Sequence, residues 1–313
     1  MNDGSATHPQ NVFEEESRVQ LRKGLALPYV EKNGEVRYLA TRLPALIMGI
    51  VNVTPDSFWN KSRGLGHAAA ELALKLVEEG ADVLDLGAES TRPGSQYIDA
   101  QEEIMRLLPV IEEIRRHSSI PLSIDTRKKL VMEAAWEEGA NIVNDISALE
   151  DDPELGPFAA ERGLPVILMH KRGTPISMQE NTRYEDSFSQ VDEYLKQRVE
   201  TTLSLGVHCD RIWVDPGIGF GKDVNANKVL VSRCGALCGG RFPVVMALSR
   251  KSFIPQMLGR EVLPEDRLAG TLAANMVAIN SGASIVRVHD VAATRDMLLV
   301  LENLNRERTD NPR

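Results

Sequence analysis

A chain of 313 residues with 36 basic and 45 acidic side chains carries a formal charge of −9, and it contains no basic tract of the kind that tracks a nucleic-acid backbone. Hydrophobic residues make up 42% and charged residues 26%, ordinary globular values that exclude wholesale disorder. Aromatics are only 5%, so Val, Ile, Leu and Ala must fill the core, which favours parallel β/α packing over an aromatic-rich sandwich.

Residues 1–43 read as a partly flexible N-terminal extension. Its start, MNDGSATHPQNVFEEESRVQ, is polar and acidic, with neither the basic flank nor the apolar run of a secretory signal. Around Glu35–Leu39 a short strand or hairpin is expected to close the bottom of the domain that follows. From Pro44 onward, short apolar runs alternate with longer stretches of helical periodicity. The runs are Leu46–Val51, Val83–Leu86, Leu122–Ile124, Ile142–Val143, Val166–Met169, Ile212–Val214, Val244–Ala247 and Ile285–Val288, each nearly continuous as in strands buried on both faces. The helical stretches are Ala68–Glu79, Glu102–Arg115, Lys128–Glu138, Glu154–Glu161, Phe188–Leu205, Val224–Leu237, Leu268–Ser281 and Ala292–Asn305, several ended by Gly just ahead of the next strand. About eight β/α units in unbroken succession predict an α/β fold, a single-domain (β/α)8 TIM barrel over residues 44–305 with a flexible tail at 306–313. A seven-unit or doubly wound open sheet is the alternative. No apolar stretch approaches the ~18 residues that cross a bilayer. Cys209, Cys234 and Cys238 are too few for a disulfide framework; Cys234 and Cys238 share a helical face but lack the companions of a metal site, so a reducing, cytoplasmic setting is expected.

Polar residues end every apolar run. Asn52 follows the first, Asp85 and Glu89–Arg92 the second, Asp125 the third, Asn144 and Asp145 the fourth, and His170 the fifth. Asp215 closes the sixth, Ser249–Arg250–Lys251 the seventh, and Arg287 with His289 the eighth. In a barrel these C-terminal ends converge on one face, where catalytic groups sit. Turn chemistry alone would favour Ser, Gly and Asn. Asp125, Asp215, Lys251, Arg287 and His289 are instead ionisable groups beside buried β-branched runs, and they need partners or ligands to offset desolvation. The two carboxylates and the amide of Asn144 suit the N–H donors of a nitrogen heterocycle, Lys251 suits ring acceptors, and Arg287, His289 and Asn52 suit an anion such as a phosphate. The glycine-rich Gly217–Lys222 is not a P-loop, because Asp223 follows Lys222. Phosphate binding and close backbone approach to a flat ligand are both open to it. No HExxH, GxSxG or CxxC motif occurs. Trp136, Trp213, Met48 and Met169 read as core, and His67, His117 and His208 as surface or capping residues.

At these residues the chain resembles the dihydropteroate synthase family of pterin-binding barrels, from about Pro44 to Val300. The blocks that carry the resemblance are MGIVNVTPDSF (Met48–Phe58), DLGAESTRPGS (Asp85–Ser95), SIDTRK (Ser123–Lys128), NDIS (Asn144–Ser147) and LMHKRGTP (Leu168–Pro175). DPGIGFGK (Asp215–Lys222), SRKSF (Ser249–Phe253), GTLAAN (Gly270–Asn275) and VRVHD (Val286–Asp290) continue it in order. The resemblance implies that a 6-hydroxymethyl-7,8-dihydropterin diphosphate is joined to p-aminobenzoate, giving dihydropteroate and diphosphate. It implies that Asp125, Asn144, Asp215 and Lys251 bind the pterin, and that Thr91, Arg92, Pro93, Phe220 and Ser249 line the p-aminobenzoate pocket. Asn52, Arg287 and His289 would hold the diphosphate, Asn52 as the ligand of a Mg²⁺ cofactor, and Lys251, Arg287 and Asp125 would be the catalytic set. Small molecules rather than nucleic acid or membrane would be the partners, sulfonamide-like mimics of the benzoate would act at the amine pocket, and a homodimer would form through the late helices. Loops after the first and second strands would be lids, with pterin adding before amine and Lys61 and Arg63 supplying local cations.

Four positions depart from the family pattern. Trp59–Gly64 replace a Ser-Asp-Gly-Gly-like turn, Ala88 stands where a second glycine is usual, Lys171 follows His170, and Ala247–Leu248 replace smaller residues before Ser249. Drift within an active enzyme accounts for them. The alternatives are a divergent pterin-binding paralogue with altered or no synthase activity, or a methyltetrahydrofolate-binding methyltransferase domain, against which STRPG, SRKS and VRVHD argue. Arg287→Ala is expected to weaken binding of the pterin diphosphate strongly, and Arg92→Ala mostly to raise the KM for p-aminobenzoate. Steady-state kinetics with each substrate varied separates the two roles, and equal effects on both substrates would refute the division.

Overall fold

The computed structural model describes residues 25–54, 65–90, 94–174, 176–178 and 180–310. Strands β1 (Leu25–Val30) and β2 (Val36–Thr41) form an antiparallel hairpin ahead of the barrel. Eight parallel strands follow: β3 (Leu46–Asn52), β4 (Val83–Gly87), β5 (Leu122–Asp125), β6 (Ile142–Asp145), β7 (Val166–Met169), β8 (Ile212–Asp215), β9 (Val245–Met246) and β10 (Ile285–Val288). They pair in the order β8-β7-β6-β5-β4-β3-β10-β9, and a parallel bridge from Val214 to Val244 joins the two ends. The sheet therefore closes into a barrel, and the open-sheet alternative falls.

Around it lie α1 (Leu65–Glu78), α2 (Ala100–His117), α3 (Lys129–Glu137), α4 (Leu155–Arg162), α5 (Ser187–Ser204), α6 (Val224–Arg233), α7 (Phe253–Leu258), α8 (Leu268–Asn280) and α9 (Val291–Asp310). Their ends follow capping chemistry. Asp99, Asp186 and Asp223 each accept a backbone N–H three residues on, at 2.8, 3.1 and 2.8 Å, and Gly163 ends α4 in a left-handed conformation. Most helix bounds shift by one to three residues from the sequence expectation, and three differences are larger. Helix α6 stops at Arg233 rather than Leu237, because Leu237, Cys238 and Gly239 leave helical backbone, so Cys234 and Cys238 do not share a helix face. Both thiols are buried, which pushes Cys234 up to about 11 and Cys238 up to about 12. Helix α7 is too short to show periodicity, and α9 continues to Asp310, through part of the expected tail. The expectations for Trp59–Gly64, Lys61, Arg63, Thr91, Arg92 and Pro93 fall outside the described residues.

The strands alternate between two environments, as period-two geometry requires. Leu46, Met48, Val83, Ile142, Ile167, Trp213, Val245 and Ile285 pack about the barrel axis in one cluster with Leu25, Leu27, Tyr29 and Leu39. The hairpin thus plugs the N-terminal end of the barrel. The intervening residues, such as Ile47, Val51, Leu84, Ile124, Val143, Leu168, Val214 and Val286, face the helices in a second, larger core that also takes in Trp136. Asn141 stitches the plug in place: Nδ2 donates to Val30 O at 3.0 Å, and Oδ1 accepts from Leu122 N at 3.1 Å and Arg115 Nη2 at 3.3 Å. His67, His117 and His208 lie on the surface beside Glu71, Glu113 and Asp210. Asn141→Ala strands the buried Leu122 N–H and Val30 carbonyl, and is expected to cost about 2–3 kcal/mol, read as a lower denaturation midpoint in urea at unchanged m-value.

Candidate active site

The same alternation decides which polar side chains meet. Two residues beyond an axial position comes another: Val83 leads to Asp85, Ser123 to Asp125, Ile142 to Asn144, Trp213 to Asp215 and Ile285 to Arg287. Asn52 lies four residues beyond Met48 on β3, half-buried at the mouth. Asp145 is one step out of this register, and its carboxylate turns to the loop that follows, accepting from Ser147 N, Ser147 Oγ and Leu149 N at 2.7, 2.7 and 2.8 Å.

Arg287 sits among the carboxylates. Its Nε donates to Asp85 Oδ2 at 2.5 Å and its Nη2 to Asp125 Oδ2 at 3.0 Å. Asp85 is fully buried, and both its oxygens accept from Asn144 Nδ2 at 3.1 Å. Asp215 Oδ1 accepts from Gly217 N at 2.6 Å. Lys251 Nζ donates to Ile218 O at 2.5 Å and stands 4.9 Å from the centroid of the Phe220 ring. Ser249 Oγ lies 3.0 Å from His289 Nδ1 and accepts from His289 N at 3.3 Å. The structure therefore joins Asp125, Asn144 and Arg287 in one network and Lys251, Phe220 and the Asp215 loop in another, with the Ser249–His289 pair at the ends of β9 and β10. Asp85, passed over as a site residue in the sequence, is the hub of the first network. Its even register with Asp125, Asn144 and Asp215 was the available signal.

Crowding these charges in a low-dielectric interior shifts them. Burial pushes the Asp125 carboxyl up to about 7, with Arg287 pulling it down and Asp85, Glu103 and Asp145 pushing it further up. Burial also raises Asp215, opposed by Lys251 and the Gly217 N–H. It lowers the Lys251 ammonium to about 8, against the pull of Asp215. For Arg287 burial acts downward, and Asp85 and Asp125 outweigh it, so the guanidinium is held above its usual value.

The pterin-binding enzyme family model matches residues 48–289. Dihydropteroate synthase of Escherichia coli K12 is 40% identical over 260 residues, covering 82% of this chain and 90% of that protein. The chain belongs to the dihydropteroate synthase family. The Streptococcus pyogenes serotype M3 synthase is likewise 40% identical over 264 residues, with coverage of 83% and 96%. Among solved structures, Xanthomonas albilineans dihydropteroate synthase with 4-aminobenzoic acid superposes with a TM-score of 0.81 at 40% identity, covering 89% of this chain and 98% of that one. The same enzyme with 7,8-dihydropteroate gives 0.77 at 38% identity, covering 89% and 99%.

Against that family pattern the departures are mild where they are described. Lys171 brings no unpaired charge to the mouth, because its Nζ lies 3.1 Å from Asp151 Oδ2, which also accepts from Arg127 Nη1 at 2.5 Å. Arg127 and Lys128 in turn clamp Glu89 at 2.8 and 3.0 Å. Ala88 is fully buried in the helix-side core without a left-handed φ, so its methyl is packing rather than strain. Leu248 is likewise buried in that core rather than lining a pocket. Among the described residues no three His, Cys, Asp or Glu side chains gather as a metal cluster. Asn52 offers one amide oxygen. That set fits Mg²⁺ as an ion carried mainly by water and phosphate oxygens, and does not fit one held by protein ligands alone.

Proposed function

We propose that the barrel mouth joins 6-hydroxymethyl-7,8-dihydropterin diphosphate to p-aminobenzoate, releasing diphosphate and forming 7,8-dihydropteroate, a transferase step of folate biosynthesis. The observation that carries this is the convergence of Asp85, Asp125, Asn144, Asp215, Lys251 and Arg287 from six strand ends at one mouth. Family members have been solved with 4-aminobenzoic acid and with 7,8-dihydropteroate bound.

In the reaction the aniline nitrogen bonds to the pterin methylene carbon as the carbon–oxygen bond to diphosphate breaks, and the nitrogen gives up one proton to the released diphosphate or to water. Asp125 and Asp215, ionised, take N–H donors of the pterin, Asn144 contributes its amide, and Lys251 donates to a ring acceptor. This reading matches donor to acceptor and penalises analogues that lack either. Positive charge developing at the methylene lies near the Asp125 and Asp215 carboxylates, which are fixed in place before the reaction begins. Arg287 and His289 hold the departing diphosphate, and Mg²⁺ at Asn52 would neutralise part of its charge. Phe220 and Ser249 shape the amine pocket and hold the nitrogen in line, and the family resemblance assigns Thr91, Arg92 and Pro93 to the same substrate. A homodimer through α8 and α9 belongs to the same proposal, supported by the exposed Met276, Val277, Leu299 and Val300. So does a reducing, cytoplasmic setting, supported by three free thiols; no described helix is long and apolar enough to cross a membrane.

Diphosphate release from the pterin diphosphate, measured with and without p-aminobenzoate and Mg²⁺, tests the assignment. Release that requires the amine is expected. Tight pterin binding without turnover would favour the binding-only paralogue, and methyl transfer from methyltetrahydrofolate the methyltransferase. The kcat/KM for the pterin substrate should follow a bell, falling below about pH 7 as Asp125 takes up a proton and ceases to be a pure acceptor, and falling above about pH 8 as Lys251 loses its charge. In Asp125→Asn the acid limb should move to that of Asp215 alone while the alkaline limb stays.

A further inference from the structure

We propose that Lys222 is a positioning residue: an internal strut that binds the Gly217–Gly221 loop to the end of β7 and thereby sets Phe220 in the amine pocket. The side chain is 4% exposed. Its Nζ faces Gly217 O at 2.9 Å, Phe220 O at 3.0 Å, His170 O at 3.2 Å and His170 Nδ1 at 2.8 Å. Even fully protonated, the amine has three hydrogens, and the three carbonyls alone can take them all, so none is left for a phosphate. Of the two roles open to this glycine-rich stretch, phosphate capture by its lysine is thereby removed. Burying an ammonium that bonds no carboxylate is costly, and burial pulls Lys222 well below its usual value. What it secures here is geometric: both ends of one loop and the backbone of its neighbour, tied at a single atom.

The rest of the loop is built to the same tolerance. A Cβ on Gly217 would run into the His170 carbonyl, and one on Gly221 would come 2.6 Å from Arg172 O. Asn227 grips the outer side, Oδ1 accepting from Gly219 N at 3.0 Å and Nδ2 donating to Lys222 O at 3.3 Å. His170 is fixed in turn by the edge of the Tyr194 ring, with centroids 4.9 Å apart. Burial and the neighbouring Lys222 hold His170 down to about 2, so its ring stays neutral, and Lys222 Nζ facing Nδ1 favours the tautomer that carries its hydrogen on Nε2. The loop's outward products are the Ile218 carbonyl that takes Lys251 and the Phe220 ring beneath that ammonium. Phe220 is the residue whose own carbonyl Lys222 holds, so the amine pocket should feel the loss first.

The strut rests on the synthase reading, and two readouts keep their failures apart. Lys222→Met keeps the stem and removes the hydrogens. Its KM for p-aminobenzoate should rise about tenfold while the KM for pterin diphosphate moves less than about twofold. Amide hydrogen exchange across Gly217–Gly221 should quicken by about tenfold or more, with the other barrel loops unchanged. His170→Leu should shift both readouts the same way, and His170→Asn, whose amide oxygen can stand in for Nδ1, should restore them. The His170 pair decides the matter if Lys222→Met does not fold. Unchanged exchange in the loop, or a fall in kcat with both KM values intact, would overturn the strut. Wild-type chain without amine-dependent diphosphate release would overturn the synthase reading, while the exchange experiment would still judge the strut.

Discussion

One guanidinium makes this interior tolerable. Asp85 and Asp125 stand inside a closed barrel, where carboxylates lose hydration and repel one another, and Arg287 lies between them with a hydrogen bond to each. The arrangement also orients its neighbour. A carboxylate only accepts, so Asn144 must turn its NH₂ toward Asp85, leaving its carbonyl oxygen for the other side. Arg287 cannot be removed without exposing two acids to each other, nor Asp85 without releasing the Asn144 amide and the Nε of Arg287.

A chain with a formal charge of −9 is an unpromising host for a diphosphate and a benzoate. The contradiction is resolved locally. Lys251 and Arg287 supply cations at the ends of β9 and β10, Arg287 while bonded to Asp85 and Asp125, and other basic groups near the mouth are likewise paired with acids of the chain, as with Arg127 and Lys128 on Glu89 and Lys171 on Asp151. Local charge, not the net value, decides what such a mouth attracts.

Much of this was legible in the residues. Eight β-branched runs and the helices between them need no tertiary information, because burial on both faces and 3.6-residue periodicity are written locally. The polar run-ends could be read as converging for the same reason. Less visible was what depends on partners far along the chain. Asp85 reads as one of many polar run-ends, and its place as the hub depends on Asn144, 59 residues away, and Arg287, 202 residues away. Lys222 read as the tail of a glycine motif, and nothing nearby announced that His170, 52 residues earlier, would face it. Helix α6 was overextended because Ala and Leu at 236–237 continue the apolar stripe, while the break depends on the backbone of Cys238 and Gly239.

The hairpin at the N-terminal end has a consequence for traffic. With Leu25, Leu27, Tyr29 and Leu39 seated against an axis that is already filled by side chains, the barrel has no second opening at that end. Whatever comes in at the mouth must go out by the same face. A shared route is thus imposed by the plumbing, before any individual side chain has a say.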